Sequence, residues 1–148
     1  MPLTFQTRHD AASSLTRLID MGIEPFLIAS SVAGVIAQRL VRVVCASCKA
    51  PERSIPTWAG EFHLNEQQAK FFRGTGCASC KQSGYKGRIG IFELLAMGEA
   101  IKDLVVAKAP AHAIREAARK AGMRTLREDG LAKALAGTTT LEEVVRVT

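Results

Sequence analysis

Cys45-Ala46-Ser47-Cys48 and its echo Cys77-Ala78-Ser79-Cys80 hold the only cysteines of the chain. They form two C-x-x-C knuckles with 28 residues between Cys48 and Cys77. Two residues between cysteines let a tight turn aim both sulfurs at one ion, and a second knuckle from a distant segment completes the shell. Cys45, Cys48, Cys77 and Cys80 are therefore expected to bind one structural Zn2+ tetrahedrally, with no position left for water or substrate. Three other readings of four cysteines stand beside this one. Paired disulfides need an oxidising compartment, whereas Met1-Pro2-Leu3 begins no signal peptide and leads to the expectation of a reducing cytoplasm. A thioredoxin-like redox pair needs one knuckle at a helix start, not two. An iron–sulfur cluster also takes four thiolates.

The surrounding composition is that of a globular chain of 148 residues, 47% hydrophobic and 23% charged, enough for one core and a small satellite module. No apolar run reaches the roughly 18 residues of a membrane span. The longest, Phe26 to Ala37, is interrupted by Ser30, Ser31 and Gly34. Charge is uneven: from Arg39 to Arg88 nine basic residues face only Glu52, Glu61 and Glu66, so this segment supplies the whole formal charge of +6. Part of that excess offsets four thiolates around a dication, and the rest suits either a solvated face or a basic docking surface.

Working outward from the knuckles, Val41 to Val44 is rich in β-branched residues and reads as a short strand entering the site. Ile89 to Leu95, after the glycine-punctuated Ser83-Gly84-Tyr85-Lys86-Gly87-Arg88, reads as its antiparallel partner. Between the knuckles, Pro51 and Pro56 mark loop, Asn65 to Phe72 suits a short helix, and Trp58 with Phe62 suits a small lid. His63 is the one alternative metal ligand. Gly74-Thr75-Gly76 is a poor phosphate loop, running straight into a knuckle without a third glycine.

Upstream, Asp10 can cap a helix from Ala11 to about Met21, stopped by Gly22. Pro25 opens a second helix, expected to continue to Leu40 and to be buried because it is apolar over most of its circumference. Downstream, Glu99 to Ala107, Pro110 to Ala121 and Thr125 to Ala136 show helical spacing, and Thr140-Leu141-Glu142-Glu143 reads as a capping box for a last helix ending near Val147. His112 and its charged neighbours are a solvated face. The sequence holds no G-x-x-x-x-G-K-[ST] loop, no GxSxG elbow and no second histidine or carboxylate set arranged for catalysis. No catalytic or nucleotide-binding residue is assigned.

Longer motifs go further. Asp10-Ala11, Thr16-Arg17-Leu18-Ile19-Asp20-Met21-Gly22-Ile23-Glu24-Pro25-Phe26-Leu27, Ala37-Gln38-Arg39-Leu40-Val41-Arg42, the paired knuckles, Gly84-Tyr85-Lys86-Gly87-Arg88-Ile89-Gly90-Ile91-Phe92-Glu93-Leu94-Leu95, Asp129-Gly130-Leu131 and Thr140-Leu141-Glu142-Glu143-Val144-Val145-Arg146-Val147 resemble, in order, the type II secretion and type IV pilus assembly ATPases. The resemblance implies an α+β, helix-rich chain: the C-terminal part of a RecA-like P-loop ATPase core with an inserted four-cysteine zinc module and a C-terminal helical bundle. Residues 1–40 would be the core remnant, 41–95 the zinc module with flanking strands, and 96–148 the helical subdomain. It further implies ATP and Mg2+ in the full-length family, a hexamer on the cytoplasmic side of the bacterial inner membrane, and inner-membrane secretion or pilus platform components as partners. Cys45, Cys48, Cys77 and Cys80 match the family's zinc ligands. Walker A, the acidic box and Walker B have no counterpart here, and Phe5-Gln6-Thr7-Arg8-His9 stands where the family has a Thr-Leu-His-Thr-Asn box. No ATPase activity is expected from this chain alone. The alternatives are a stand-alone four-cysteine zinc ribbon that binds nucleic acid or protein, and a degenerate gene product.

Overall fold

The computed structural model describes residues 10–52 and 70–148. The elements are α1 (Ala11–Asp20), α2 (Pro25–Ser31), β1 (Gly34–Val44), β2 (Lys49–Pro51), β3 (Phe72–Gly74), β4 (Tyr85–Ala96), α3 (Glu99–Val106), α4 (Ala111–Lys120), α5 (Leu126–Leu135) and α6 (Leu141–Val147), with short 3-10 turns at Ala46–Cys48 and Ala78–Cys80. β1 pairs with β4, and β2 pairs with β3. The Cys45 N–H bonds the Gly84 carbonyl past one end of the β1–β4 ribbon, and the Met97 N–H bonds the Ala33 carbonyl past the other. The two strands therefore run antiparallel, as predicted, but β4 already begins at Tyr85: Tyr85 to Arg88 is strand and not turn, and it is this stretch that lies opposite Val41 to Val44.

The second helix is shorter than its apolarity predicted. It ends at Ser31, Val32 is already extended, and Gly34 to Leu40 is the first half of β1. A glycine and a run of β-branched residues favour the extended chain, and a partner strand supplies the hydrogen bonds. Its burial differs as well: Pro25, Ile28 and Ala29 are buried, while Phe26 and Leu27 are exposed. Pro51 closes β2 rather than lying in loop, and Phe72 opens β3 rather than ending a helix. Lys70 and Phe71 are not helical either, while Asn65 to Ala69, with Pro56, Trp58, Phe62, His63 and Phe5 to His9, lie outside the described residues.

The chain forms two compact units, one from residues 1–39 and 92–126, the other from residues 40–91 and 127–148. In the first, α1 packs on α4, α2 on α3, and α3 on α4. Ala11, Ala12 and Leu15 of α1, Leu95 of β4, Ile101 and Val105 of α3, and Ile114 of α4 are all but solvent-free in its core. Asp10 caps α1, its Oδ1 accepting from the Ser13 N–H at 2.8 Å and its other oxygen from Arg115. Burial works against the Asp10 charge, but these donors outweigh it and hold its carboxyl below the ordinary range.

Along β4 the inward positions are Ile91, Glu93 and Leu95. Glu93, 3% exposed, accepts from the Ala11 N–H at 2.8 Å and the Leu126 N–H at 3.3 Å, the first residues of α1 and α5. One buried carboxylate thus satisfies orphan donors at two helix starts, where the dipole also favours negative charge. Glu93→Ala strands both N–H groups and is expected to cost about 2–4 kcal/mol, read as a lowered urea midpoint. A change below about 0.5 kcal/mol would refute the role given to Glu93.

In the second unit Phe71, Ala134, Leu141 and Val144 form the buried apolar cluster, with Leu131 against it. A Cβ on Gly130 would meet Val144 Cγ1 at 2.6 Å, so α5 and α6 approach through a residue without a side chain.

Candidate metal centre

Strand β1 delivers the first cysteine. The Val44 N–H bonds the Thr138 carbonyl at 2.9 Å and the Cys45 N–H bonds the Gly84 carbonyl at 2.9 Å, so Cys45 leaves the strand tied on both sides. The 3-10 turn at Ala46–Cys48 folds Cys48 back, its N–H reaching the Cys45 carbonyl at 3.2 Å. β2 then pairs antiparallel with β3, Lys49 opposite Gly74 and Pro51 opposite Phe72. Two bonds from Thr75 to the Cys48 carbonyl, from N–H at 3.0 Å and from Oγ1 at 3.2 Å, set the second knuckle beside the first.

The second knuckle is wrapped by its own backbone. The Cys77 N–H and the Gly84 N–H point at Cys80 Sγ, at 3.2 and 3.3 Å, and the Gln82 N–H bonds the Cys77 carbonyl at 2.9 Å. Lys81 and Gln82 take φ of 52° and 64°, an unusual pair of left-handed residues that reverses the chain within one turn. Gly74 and Gly84 touch backbone to backbone, so these two glycines serve close approach.

Together these elements place the four Sγ atoms within 4.8 Å of one another. Cys45 and Cys77 stand 3.8 Å apart, Cys48 and Cys80 3.8 Å, and Cys77 and Cys80 3.7 Å. A disulfide needs about 2.05 Å, and all four thiols are free. Zn–S bonds of about 2.3 Å at tetrahedral angles give S···S edges of about 3.8 Å. The cluster is compatible with a four-thiolate zinc site, and its size suits one central ion rather than a cage of several irons. Among the described residues no histidine or carboxylate joins it.

The sulfurs do not ionise alike. Burial opposes a Cys80 thiolate, yet the N–H donors of Cys77 and Gly84 bring its pKa down to about 6. Burial pushes Cys48 up to about 11. A dication favours the thiolate form of every ligand.

A second polar assembly lies in the same unit. Glu143 is fully buried and takes four hydrogen bonds: from the Arg42 N–H at 2.9 Å, Arg42 Nη2 at 2.7 Å, Arg146 Nε at 2.9 Å and Arg146 Nη2 at 2.9 Å. Arg42 stacks over the Tyr85 ring at 4.1 Å, and Tyr85 Oη lies 3.0 Å from Thr140 Oγ1. The expected capping box is half present. Thr140 Oγ1 accepts from the Glu143 N–H at 3.2 Å, but the Glu143 carboxylate turns to the two arginines instead. Sequence spacing missed this assembly because Arg42 and Glu143 are 101 residues apart.

Burial raises the Glu143 pKa, but the hydrogen bonds of Arg146 and then Arg42 dominate and hold it at about 2, against an ordinary 4.5. A carboxylate depressed by folding contributes stability that is complete above its unfolded pKa and lost as pH falls through the folded one. Glu143 should therefore contribute about 3 kcal/mol that disappears between about pH 5 and pH 2. Glu143→Gln is expected to flatten that part of the stability–pH curve, measured by urea denaturation. An unchanged acid limb would refute this.

The family model described as "Type II/IV secretion system protein" matches residues 4–146, and the chain belongs to that family. Among its relatives, the "Type IV pilus assembly ATPase PilB" of Thermus thermophilus is 48% identical over 97% of this chain and 17% of its own length. The "Type II secretion system protein HxcR" of Pseudomonas aeruginosa is 47% identical over 99% of this chain and 28% of its own. The "Type II secretion system ATPase E" of Vibrio cholerae is 44% identical, over 99% and 29%. The chain thus spans less than a third of the length of these curated relatives. No described helix is long and apolar enough to cross a membrane.

Proposed function

We propose that this chain is the C-terminal, zinc-stapled portion of an assembly ATPase that powers type II secretion or type IV pilus assembly, and that it turns over no ATP by itself. The observation that carries the reading is the gathering of Cys45, Cys48, Cys77 and Cys80 at tetrahedral spacing within a chain of this family. In this reading residues 1–40 are the remnant of a RecA-like core, 41–95 the zinc-binding module and 96–148 the helical subdomain. A four-thiolate ion has no open coordination position, so the centre pins chain to chain and catalyses nothing. Without a lysine-bearing phosphate loop nothing in this sequence holds the β- and γ-phosphates or Mg2+ of a nucleotide. The work left to the chain is to present a rigid basic surface, with Lys81 exposed at the second knuckle and Lys86 tied to Ser79 Oγ at 2.9 Å, to the platform components at the cytoplasmic face of the inner membrane.

The test uses the purified zinc-loaded chain. One zinc per chain, phosphate release from ATP no greater than that of a heat-treated control, and capture of platform components that is lost in Lys81→Glu/Lys86→Glu are the expected results. ATP turnover abolished by nucleotide analogues, or capture unaffected by the charge reversals, would overturn the corresponding part. Salt-dependent binding to DNA of any sequence would point instead to a nucleic-acid ribbon.

A further inference from the structure

Leu40 and Arg42 of β1, Arg88 of β4 and Arg146 of α6 line one open cleft of about 500 Å3. Among the described residues its walls carry three guanidinium groups and no acidic residue. Two of them are fixed. Glu143, beneath the cleft, holds Arg42 and Arg146, and the Tyr85 ring supports Arg42 from behind. Each guanidinium has five N–H donors in a rigid plane. Glu143 takes one from Arg42 and two from Arg146, which leaves donors on both for a ligand. Arg88 is exposed, and its side chain makes no hydrogen bond or ion pair with any described residue. Three positive charges against one buried carboxylate leave a local excess of two, tempered at longer range by the exposed Glu142.

We propose that Arg42, Arg88 and Arg146 form a binding site for a doubly charged phosphoryl group. A carboxylate carries one charge and is matched by one arginine fork. A phosphate dianion offers three or four acceptor oxygens and matches both the charge excess and the convergence of several forks. Glu143 serves as the positioning residue: it pre-orders two long side chains whose freedom would otherwise be lost on binding. Among the described residues Leu40 supplies the apolar wall, room for the carbon skeleton that carries the phosphate. The proposal is independent of metal, ATP turnover and platform docking, since the residues involved are neither the cysteines nor Lys81 and Lys86.

The experiment titrates inorganic phosphate into the 15N-labelled, zinc-loaded chain at constant ionic strength, following the arginine side-chain N–H signals by NMR. The expected result is saturable shifts of Arg42, Arg88 and Arg146, with affinity falling about tenfold in Arg88→Ala, the loss of one charge-assisted contact. Arg88 supports nothing in the fold among the described residues, so the variant should keep its thermal midpoint. Arg88→Lys, which keeps the charge and loses the fork, should fall between the two. Shifts reproduced by chloride alone, the absence of saturation, or equal affinity in Arg88→Ala would overturn the site. Co-sedimentation with phosphatidylcholine vesicles doped with phosphatidic acid, competed by phosphate and lost in Arg88→Ala, would identify a lipid headgroup as the source. Phosphate binding without vesicle capture would identify a free phosphorylated ligand.

Discussion

Treatment with a strong chelator is expected to unfold the unit built from residues 40–91 and 127–148. Its described buried apolar residues, Val41, Val44, Phe71, Ile91, Ala134, Leu141 and Val144, are few, and β2 and β3 are three residues each. Burial in so small a unit supplies only a narrow margin over its conformational entropy. Structural zinc sites contribute apparent free energies of about 10–16 kcal/mol, as large as the whole stability of a typical domain, about 5–15 kcal/mol. Removing the ion leaves four sulfurs within 4.8 Å of one another to repel or to re-protonate. The measurement is far-UV circular dichroism alongside a colorimetric assay of released zinc. A spectrum that stays unchanged once zinc release is complete would sink the structural role. Cys80→Ser should act in the same direction, because Cys80 is buried and receives two backbone N–H groups as well as its place in the cluster.

Gly74→Ala is the substitution expected to do the most damage for the fewest atoms. A Cβ there would lie 1.9 Å from the Gly84 carbonyl oxygen and 2.5 Å from its Cα. No flexible side chain can swing away, because both partners are backbone. Gly84 cannot retreat without breaking the Cys45 N–H bond to its carbonyl and its own N–H bond to Cys80 Sγ. The cost should exceed about 3 kcal/mol, the upper end of ordinary overpacking, and zinc affinity should fall with it, since register and sulfur position are coupled. Gly87→Ala is the control. Gly87 has φ of 85° but nothing within 4 Å, so only the left-handed penalty of about 1–2 kcal/mol applies. Equal urea midpoints for the two variants would show that the Gly74–Gly84 contact is not what the unit depends on.

Much of the local structure could be read along the chain because its causes are local. Asp10, Gly22, Pro25, Gly122 and Gly137 bracket helices where side-chain caps, a fixed proline φ or a left-handed glycine require it. The reading failed where two local signals compete. Phe26 to Leu40 is apolar at helical and at strand spacing alike, and only pairing with β4 decides that the chain turns extended after Ser31. The burial expected of Phe26 and Leu27 failed for a related reason: apolarity says what a side chain favours, not what the fold sets against it.

The sequence by itself determined the four sulfur ligand candidates, their turn geometry and the family, because a C-x-x-C knuckle and a long ordered motif carry their meaning within a few residues. Only the tertiary structure decided that α5 and α6 belong with the knuckles, while α3 and α4 belong with α1 and α2. The same holds for Glu93, which meets the starts of two helices, and for Glu143, which turns from its own helix cap to Arg42. A buried carboxylate must find donors wherever the fold brings them. Ala11 lies 82 residues from Glu93 and Arg42 101 residues from Glu143, beyond the reach of any local pattern.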